Sequence, residues 1–281
     1  MSERNHGNLV QERFTRTASE FASFSQKVRA AEASQLLQIL RECVSATGSS
    51  EHALRGMCAL DVACGPGTFT LAFAPHVARI TGLDITAAIL QQARAAAERE
   101  GLPQIEWLLG NAEQLPWDAA AFDLVTTAYS LHHIGNAAEA IREIARVLRP
   151  GGWLALVDVC VPDAPAGEAH FDADVNNAIE IARDRSHVRT FRPAEPHDLA
   201  GRAGLQVAKG QPGSRERSFD DWMQIAGWKP GDAAYAETRR LMEKNLEHDR
   251  SGFAPRFPNS ADAAGGIEWT QWSYFLVARK L

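Results

Sequence analysis

Short runs rich in β-branched and aromatic residues alternate with helical patterns along one stretch of the chain. The five runs are residues 58–64, 78–84, 105–111, 122–130 and 153–161. Helical patterns over residues 68–75, 87–100 and 137–148 lie between them. Strands joined through helices form crossover units and a buried parallel sheet. The alternation therefore predicts an α/β doubly wound domain.

The net charge of the chain indicates which kinds of molecule it can bind. The chain has 281 residues, 45% of them hydrophobic and 23% charged, which matches ordinary globular proteins. Its formal net charge is −6. Nucleic acids and anionic membranes attract a positive field, so we expect neither as a partner and favour a small-molecule acceptor.

The cysteines and the amino terminus bear on the cell compartment. Four cysteines occur without a CxxC pair, so neither a disulfide framework nor a cysteine zinc site is indicated. The amino terminus has no apolar core of signal-peptide length, and the most apolar run, 153–161, is too short to span a membrane. These features predict a cytoplasmic protein without membrane insertion.

A glycine turn follows the first predicted strand, in the segment LDVACGPGTFT at residues 60–70. Gly65 and Gly67 can adopt positive φ angles and let a ligand approach the backbone, and the next helix offers free N–H groups. This arrangement suits a nucleotide-like cofactor. A dinucleotide fingerprint needs a third glycine where Thr70 stands, so a nicotinamide-dependent oxidoreductase is the weaker alternative.

Four ordered segments together carry a family resemblance. Asp61 precedes the glycine turn as in motif I of the class I S-adenosylmethionine-dependent methyltransferases, and the segment GNAEQLPW at 110–117 resembles that family's third-strand segment. The segments FDLVTTAYSLHH at 122–133 and LRPGG at 148–152 resemble its type 11 branch, which includes ubiquinone/menaquinone C-methyltransferase-like enzymes. About half of the chain is covered by the resemblance.

The resemblance implies S-adenosylmethionine as the cofactor, with S-adenosylhomocysteine as its product, and it assigns a role to each matching residue. Asp61, Gly65 and Gly67 would hold the methionine end, Asp84 the ribose, Asn111 with Ala112 the adenine, and Ala128 and Tyr129 would lie beside the methyl group. Further cofactor-binding residues are predicted at Ala63, Ile85 and Glu113. Two structural alternatives remain open. The carboxylate of Asp84 would serve as an ordinary helix cap unless Thr86 caps the helix and leaves it free, and Asn111 would form an Asx turn.

The candidate general bases are two adjacent histidines at the carboxyl edge of the sheet. His133 is the first candidate and His132 the second, because histidine titrates near neutral pH. Asp158 is a weaker candidate. The alternative for each histidine is a hydrogen bond to the surrounding structure. A base is needed only when the acceptor must lose a proton, since alignment alone accelerates a direct displacement.

The full domain prediction is a single Rossmann-like methyltransferase domain over residues 1–281. We expect a seven-stranded, mostly parallel sheet with an antiparallel last strand, a sixth strand near 205–209 and a final strand over 269–279. Residues 51–161 would form the cofactor core and residues 1–50 a helical lid. The insertions 162–193 and 218–266 would cap the acceptor.

Several side chains have two interpretations. His170, Asp172 and Asp174 resemble a metal cluster, but the start of a solvated helix is favoured and no metal is expected. Trp222 and Trp228 would line an aromatic acceptor pocket or pack in the core, and Trp272 is expected in the core. The predicted function is methyl transfer to a small, aromatic or apolar molecule. A domain that binds the cofactor without methyl transfer is the main alternative, and a homodimer is left open.

Overall fold

The computed structural model describes residues 3–48, 53–164, 170–258 and 266–281. Parts of the predicted lid, core and insertions therefore lie outside the described residues. Within these ranges seven strands form one sheet in the order β3-β2-β1-β4-β5-β7-β6. The strands are β1 Cys58–Val62, β2 Arg79–Asp84, β3 Glu106–Leu109, β4 Phe122–Ala128, β5 Leu148–Val159, β6 Leu205–Ser218 and β7 Glu268–Lys280.

The pairing of the strands confirms the predicted topology. Strands β1 to β5 pair in parallel, whereas β7 lies antiparallel between β5 and β6. The strand order reverses between β1 and β4, which are neighbours in the sheet. Ligands of doubly wound sheets bind outside the carboxyl ends of the strands at such a reversal. The fold therefore places a binding crevice beyond Val62 and Ala128.

Helices cover both faces of the sheet. They are α1 Glu3–Arg16, α2 Ala18–Val28, α3 Ala30–Ala46, α4 Thr68–Phe73, α5 Ala87–Arg99, α6 Ala137–Val147, α7 Ala173–Arg183, α8 Ala194–Arg202, α9 Phe219–Ile225 and α10 Ala233–Glu243. Leu36 of α3 and Phe73 of α4 pack on one face with Val157 of β5. Ile144 of α6 packs on the other face with Leu154. Successive β5 residues face opposite layers, as a strand buried on both sides requires.

Strand β6 is much longer than the predicted segment 205–209. It continues to Ser218 and pairs with β7 along that length, with one irregularity between Val207 and Lys209. The residues Gly210, Pro212 and Gly213 obscured the continuation, because glycine and proline usually interrupt strands. Here proline is tolerated because β6 is the edge strand. A Cβ atom on Gly213 would lie 2.8 Å from the ring of Phe275, so the glycine makes room for that side chain.

The two predicted insertions pack against each other. Ile179 of α7 joins Phe219 and Trp222 of α9 and Met242 of α10 in a separate apolar cluster. Trp269 belongs to this cluster and is fully buried. The prediction that Trp272 lies in the core is wrong: this side chain is half-buried, because it stands at the strand position that alternates with the buried ones.

The described helices are shorter than the roughly 20 apolar residues that a bilayer-spanning helix requires. None of those within residues 3–48, 53–164, 170–258 and 266–281 is long and apolar enough to cross a membrane.

Candidate active site

A cavity lies at the carboxyl ends of β1 to β4, where the strand order reverses. It contains about 1030 Å³ of space, including its open mouth. The sequence-predicted residues that line it are Ala63, Gly65, Asp84, Ile85, Asn111, Ala112, Glu113, Ala128, Tyr129 and His133. Asp61, Gly67 and His132 are not among its lining residues. Most predicted cofactor residues therefore converge on one cavity.

The two glycines of the turn have different structural roles. Gly65 has a φ of +54°, and a Cβ atom placed on it would have its nearest neighbour, a Phe21 ring atom, at 3.8 Å. Gly67 has a φ of +82°, and its Cβ atom would lie 2.6 Å from the ring of Trp107. The backbone at Gly65 thus faces open cavity, whereas Gly67 makes room for packing between the turn and the sheet.

Asp61 is buried below the turn rather than exposed in the cavity. Its carboxylate accepts hydrogen bonds from the hydroxyl groups of Thr70 at 2.6 Å and Thr126 at 2.7 Å. Burial raises its pKa to about 6, although these hydrogen bonds oppose the shift. Asp61 therefore links β1 to α4 and β4. Thr70, which replaces the third glycine of a dinucleotide fingerprint, provides one of these links.

Asp84 shapes the turn from the end of β2. Its Oδ2 atom accepts a hydrogen bond from the Gly65 amide at 2.9 Å, and its Oδ1 atom accepts one from the Thr86 amide at 2.8 Å. Burial raises its pKa, against the effect of these bonds. The Thr86 side chain makes no capping hydrogen bond to the described residues of α5. The expectation that Thr86 caps the helix and frees Asp84 is therefore wrong.

The loop after β3 combines both interpretations of Asn111. Its Oδ1 atom accepts a hydrogen bond from the Glu113 amide at 3.0 Å, which forms an Asx turn, and the residue still lines the cavity. Ala112 is buried beside it. Glu113 accepts a hydrogen bond from the Asn136 amide at 2.7 Å, so it connects this loop to the start of α6.

The amino-terminal helices cover the cavity. Side chains of α1 and α2 that line it include Val10, Phe14 and Phe21. Two hydrogen bonds join α1 to the segments that follow the carboxyl ends of β2 and β4. His6 Nε2 lies 2.9 Å from the His133 carbonyl oxygen, and Gln11 Nε2 donates to the Ile85 carbonyl at 3.0 Å. The helical lid that was predicted over residues 1–50 thus contributes part of the cavity wall.

A second cavity of about 490 Å³, including its open mouth, adjoins the first. The two share five lining residues, which are Phe14, Phe21, Arg29, Tyr129 and His133. The second cavity also contacts Phe24, His132 and Trp222. Trp228 is not among its lining residues; its Nε1 atom donates to the Arg183 carbonyl at 2.7 Å. Of the two tryptophans with open interpretations, Trp222 is the one at a cavity.

The two candidate bases have different partners. His132 Nδ1 lies 2.5 Å from Asp158 Oδ1, and its Nε2 atom has no hydrogen bond within the described part of the chain. His133 Nδ1 lies 3.0 Å from the Ser186 carbonyl oxygen, which can only accept, so Nδ1 carries the proton. Burial, together with the neighbouring His132, holds the pKa of His133 well below its ordinary value. His133 is therefore neutral at physiological pH.

An ion pair that the sequence did not indicate joins the lid to the first insertion. Arg13 Nε donates to Asp184 Oδ2 at 2.6 Å, and both side chains are buried. Burial alone would raise the pKa of Asp184, but the positive charge of Arg13 and its neighbours holds it below its ordinary value. Arg29 and Arg217, which line the second cavity, were also missed, because an isolated arginine has no sequence signature.

The predicted HxDxD cluster has a structural role at a helix start. Asp172 caps α7 by accepting a hydrogen bond from the Asp174 amide at 2.9 Å, and it pairs with Arg250 at 2.6 Å. Within the described ranges, no group of three or more His, Cys, Asp or Glu residues could hold a metal ion. The helix interpretation is confirmed for Asp172.

The sheet order and the cavity define the class of the protein as a Rossmann-like α/β fold with a nucleotide-type site. Residues 60–156 match the family model described as "Methyltransferase domain", type 11. The methyltransferase YcgJ of Bacillus subtilis, itself uncharacterized, is 32% identical over 168 residues, which cover 60% of this chain and 64% of YcgJ. The demethylmenaquinone methyltransferase of Lactococcus lactis is 33% identical over 45% of this chain and 51% of its own length.

A solved structure extends the similarity over most of the fold. The crystal structure of a Bacillus halodurans protein is 28% identical, with a TM-score of 0.71, and the match covers 89% of this chain and 99% of that one. The match thus spans about two thirds or less of the length of the curated relatives, but nearly the full length of the Bacillus halodurans protein. Residues 60–156 thus form a methyltransferase domain of type 11, within the fold of the class I S-adenosylmethionine-dependent methyltransferases.

Proposed function

We propose that this protein transfers a methyl group from S-adenosylmethionine to a small acceptor with aromatic or apolar groups. The observation that carries this proposal is the junction of the two cavities at Tyr129 and His133. The first cavity has the glycine turn and the acidic strand end of a nucleotide-type site. The second is partly aromatic, and its position lets an acceptor reach the shared wall.

The first cavity fits S-adenosylmethionine on three observations. Open space lies in front of the Gly65 backbone, where the methionine end would pass. The carboxylate of Asp84 lines the cavity and keeps lone pairs beyond its two backbone hydrogen bonds, so it can accept from ribose hydroxyls. Asn111 and Ala112 line the part of the cavity that would hold the adenine. Asp61 acts through its threonine partners as a positioning residue.

The protein contributes mainly alignment and exclusion of water. When bound, the cofactor supplies a methyl carbon whose bond to sulfur breaks with its electron pair kept by sulfur, while an electron pair of the acceptor forms the new bond. Phe14 and Phe21 border both cavities and shield the junction from solvent. Tyr129, held by a hydrogen bond of 3.0 Å to Ser273, forms the wall between them. Correct alignment supplies much of the acceleration.

An acceptor that must lose a proton would be served by His132. Its Nδ1 atom is occupied by Asp158, which leaves Nε2 with a free lone pair. His132 lines only the second cavity, where the acceptor would bind. His133 was the first candidate from the sequence, but burial lowers its pKa and makes it a weaker base, and its ring lies at the junction of the cavities. We therefore propose His132 as the general base and His133 as part of the wall.

Calorimetric titration with S-adenosylhomocysteine tests the cofactor site. We expect Asp84→Asn to bind at least about 10-fold more weakly than the parent, since a hydrogen bond to a charged group contributes about 1.5–3 kcal/mol. Asp198→Asn is the control, because it makes the same change at an exposed position of α8. Equal affinity of Asp84→Asn and the parent would contradict the placement of the ribose.

Turnover separates the enzyme from the alternatives. Formation of S-adenosylhomocysteine with members of a small-molecule library would support methyl transfer. Binding without turnover across a broad library would favour a protein that only binds the cofactor. Binding of a nicotinamide cofactor in place of S-adenosylhomocysteine would favour the oxidoreductase alternative.

A further inference from the structure

Two buried guanidinium groups border the second cavity without a carboxylate partner. Arg29 and Arg217 are 9% and 7% exposed, and neither forms an ion pair within residues 3–48, 53–164, 170–258 and 266–281. The Nε and Nη1 atoms of Arg29 and the Nη2 atom of Arg217 are buried with no hydrogen-bond partner there. A buried charge without a partner is strongly unfavourable, so such groups indicate a missing anion.

The nearby carboxylates are largely engaged elsewhere. Glu180 pairs with Arg183 at 3.2 Å and Asp184 with Arg13 at 2.6 Å. Asp158 faces His132 at 2.5 Å. Glu180 and Asp184 are therefore balanced by their own arginines. Asp158 faces a neutral ring, and its charge only partly opposes the lowering of the Arg29 pKa by burial.

Glu32 is the remaining acid close to the two arginines. Its Oε1 atom lies 3.4 Å from Arg215, and its Oε2 atom is buried without a partner. Glu32 is not among the residues that line the second cavity. Two carboxylates, those of Glu32 and Asp158, thus stand against three guanidinium groups, those of Arg29, Arg215 and Arg217, and the local balance is positive.

The direct contacts of the two arginines are with neutral groups. The Cζ atom of Arg29 lies 3.4 Å from the centroid of the Tyr129 ring. Arg217 donates to the Gln271 side-chain oxygen at 2.9 Å, and its Cζ atom lies 4.7 Å from the centroid of Phe24. Burial and the nearby arginines lower the pKa of Arg217 to about 9, so it is still charged at neutral pH. Aromatic contacts hold the guanidinium planes but do not neutralise them.

We infer that the acceptor carries an anionic oxyacid group, a carboxylate or a phosphate, which Arg217 and Arg29 bind in the second cavity. Guanidinium groups bind such oxygens through paired, charge-assisted hydrogen bonds. Phe24 and Trp222 contact the aromatic or apolar part of the same molecule. This inference rests on the proposed function, and it restricts the acceptor to organic acids or phosphate esters.

The two arginines differ in which ligand they can reach. Arg217 borders only the second cavity, so its anion belongs to the acceptor. Arg29 borders both cavities and is within reach of the amino-acid end of the cofactor as well. Arg217 is therefore the better position for a test that leaves the cofactor site intact.

The test compares acids with their uncharged amides on the protein saturated with S-adenosylhomocysteine. A panel of substituted benzoates, phenylacetates and cinnamates, each paired with its amide, is titrated by ligand-observed NMR. Phenyl phosphates form a separate arm that distinguishes phosphate from carboxylate. We expect at least one series to bind about 10-fold more tightly than its neutral counterparts, as a charge-assisted pair would give.

Substitutions assign the preference to Arg217. Arg217→Gln should abolish the preference for acids, and Arg217→Lys should retain part of it. Arg202→Gln is the matched control, because it makes the same charge change at an exposed position of α8. Affinity for S-adenosylhomocysteine should stay unchanged in all three, which a general loss of folding would not allow.

The outcomes separate the inference from the function on which it rests. Failure of the parent protein to bind S-adenosylhomocysteine would overturn the proposed function itself. Normal cofactor binding with no preference for acids or phosphates in the parent would overturn only the inference, whether or not the variants fold. Survival of the preference in Arg217→Gln would also overturn it.

Discussion

His132 and Asp158 form a buried pair at the carboxyl ends of two adjacent parallel strands. The imidazole Nδ1 atom lies 2.5 Å from Asp158 Oδ1, and the His132 amide donates to Oδ2 at 3.3 Å. The two residues are only 7% and 2% exposed. A carboxylate so placed fixes the ring orientation and keeps the proton on Nδ1, as in other acid–histidine pairs. Nε2 is then the basic atom available to an acceptor.

Asp158→Asn should lower the rate of methyl transfer without weakening binding. The asparagine amide can donate to Nδ1, which moves the ring proton to Nε2 and removes the basic lone pair. For an acceptor that must lose a proton, we expect kcat to fall about 100-fold or more, with KM nearly unchanged. Nitrogen-15 NMR of the histidine ring reports the change of tautomer independently of turnover.

His133→Gln is the comparison variant for this prediction. It removes the histidine that was the first candidate base from the sequence. The Nδ1 atom of His133 donates to the Ser186 carbonyl instead of to a carboxylate. A larger loss of kcat in His133→Gln than in Asp158→Asn would make His133 the base and refute the assignment.

Alanine at the two turn glycines should separate stability from cofactor binding. Gly67→Ala combines a strained φ of +82° with a Cβ atom 2.6 Å from Trp107, so we expect a loss of about 2–4 kcal/mol in the free energy of unfolding. Gly65→Ala has the strain but no clash, and should cost about 1–2 kcal/mol. Its methyl group would face the cavity and should weaken S-adenosylhomocysteine binding more than Gly67→Ala does.

Urea unfolding and calorimetric titration of both glycine variants provide the measurements. Comparison is made at protein concentrations and temperatures where both variants are folded. Equal losses of stability, or weaker cofactor binding in Gly67→Ala than in Gly65→Ala, would be inconsistent with the division of roles in the turn.

The predictable part of the fold follows from local patterns. Strands β1 to β5 and helices α4 to α6 lie close to their predicted positions. The inner strands β1, β2, β4 and β5 are largely buried, and such strands give continuous apolar runs. The motif residues from Ala63 to Tyr129 that line the cavity were found for a related reason. Each stands at a strand end, and the topology brings those ends together.

The parts that were missed depend on contacts between distant segments. The continuation of β6 to Ser218 is stabilised by β7, which local propensity does not report. The partner of His132 was not recognisable, since Asp158 lies 26 positions away. Gly67 and Asp61 belong to a family motif, but the sequence does not show what surrounds them. In the structure, a Cβ atom on Gly67 would meet the Trp107 ring, and the Asp61 carboxylate accepts hydrogen bonds from two buried threonines.

Asp61 should make the protein less stable as the pH rises from about 4 to 6. The unfolded carboxyl ionises near pH 3.8, whereas burial holds its folded pKa at about 6. Between these values the folded state binds the additional proton, so stability falls with rising pH and the penalty is complete above about pH 6. Two pKa units correspond to about 3 kcal/mol, an upper limit for this effect.

Asp61→Asn removes this dependence and keeps the size of the side chain. The free energy of unfolding of the variant, relative to the parent, should improve between pH 4 and pH 6.5 in urea titrations. Asp198→Asn removes an exposed carboxylate and serves as the control. A constant difference between Asp61→Asn and the parent across this range would show that Asp61 is ionised in the folded protein throughout.

The ion pair between Arg13 and Asp184 should hold the lid on the first insertion. Asp184→Asn leaves the guanidinium of Arg13 buried without a countercharge, so we expect a loss of about 3–5 kcal/mol. Because the folded pKa of Asp184 is depressed, its contribution is present above about pH 4, where the unfolded carboxyl is ionised, and declines at lower pH. Amide hydrogen exchange should increase first in α1.

Asp172→Asn is a closely matched control for Asp184→Asn. Asp172 also lies 2.6 Å from an arginine, Arg250, but that pair is largely exposed, and asparagine retains the cap of α7. An exposed pair contributes at most about 1 kcal/mol, so Asp172→Asn should have little effect. Similar losses in the two variants, measured by urea unfolding at pH 7, would mean that burial does not set the contribution of the Arg13–Asp184 pair.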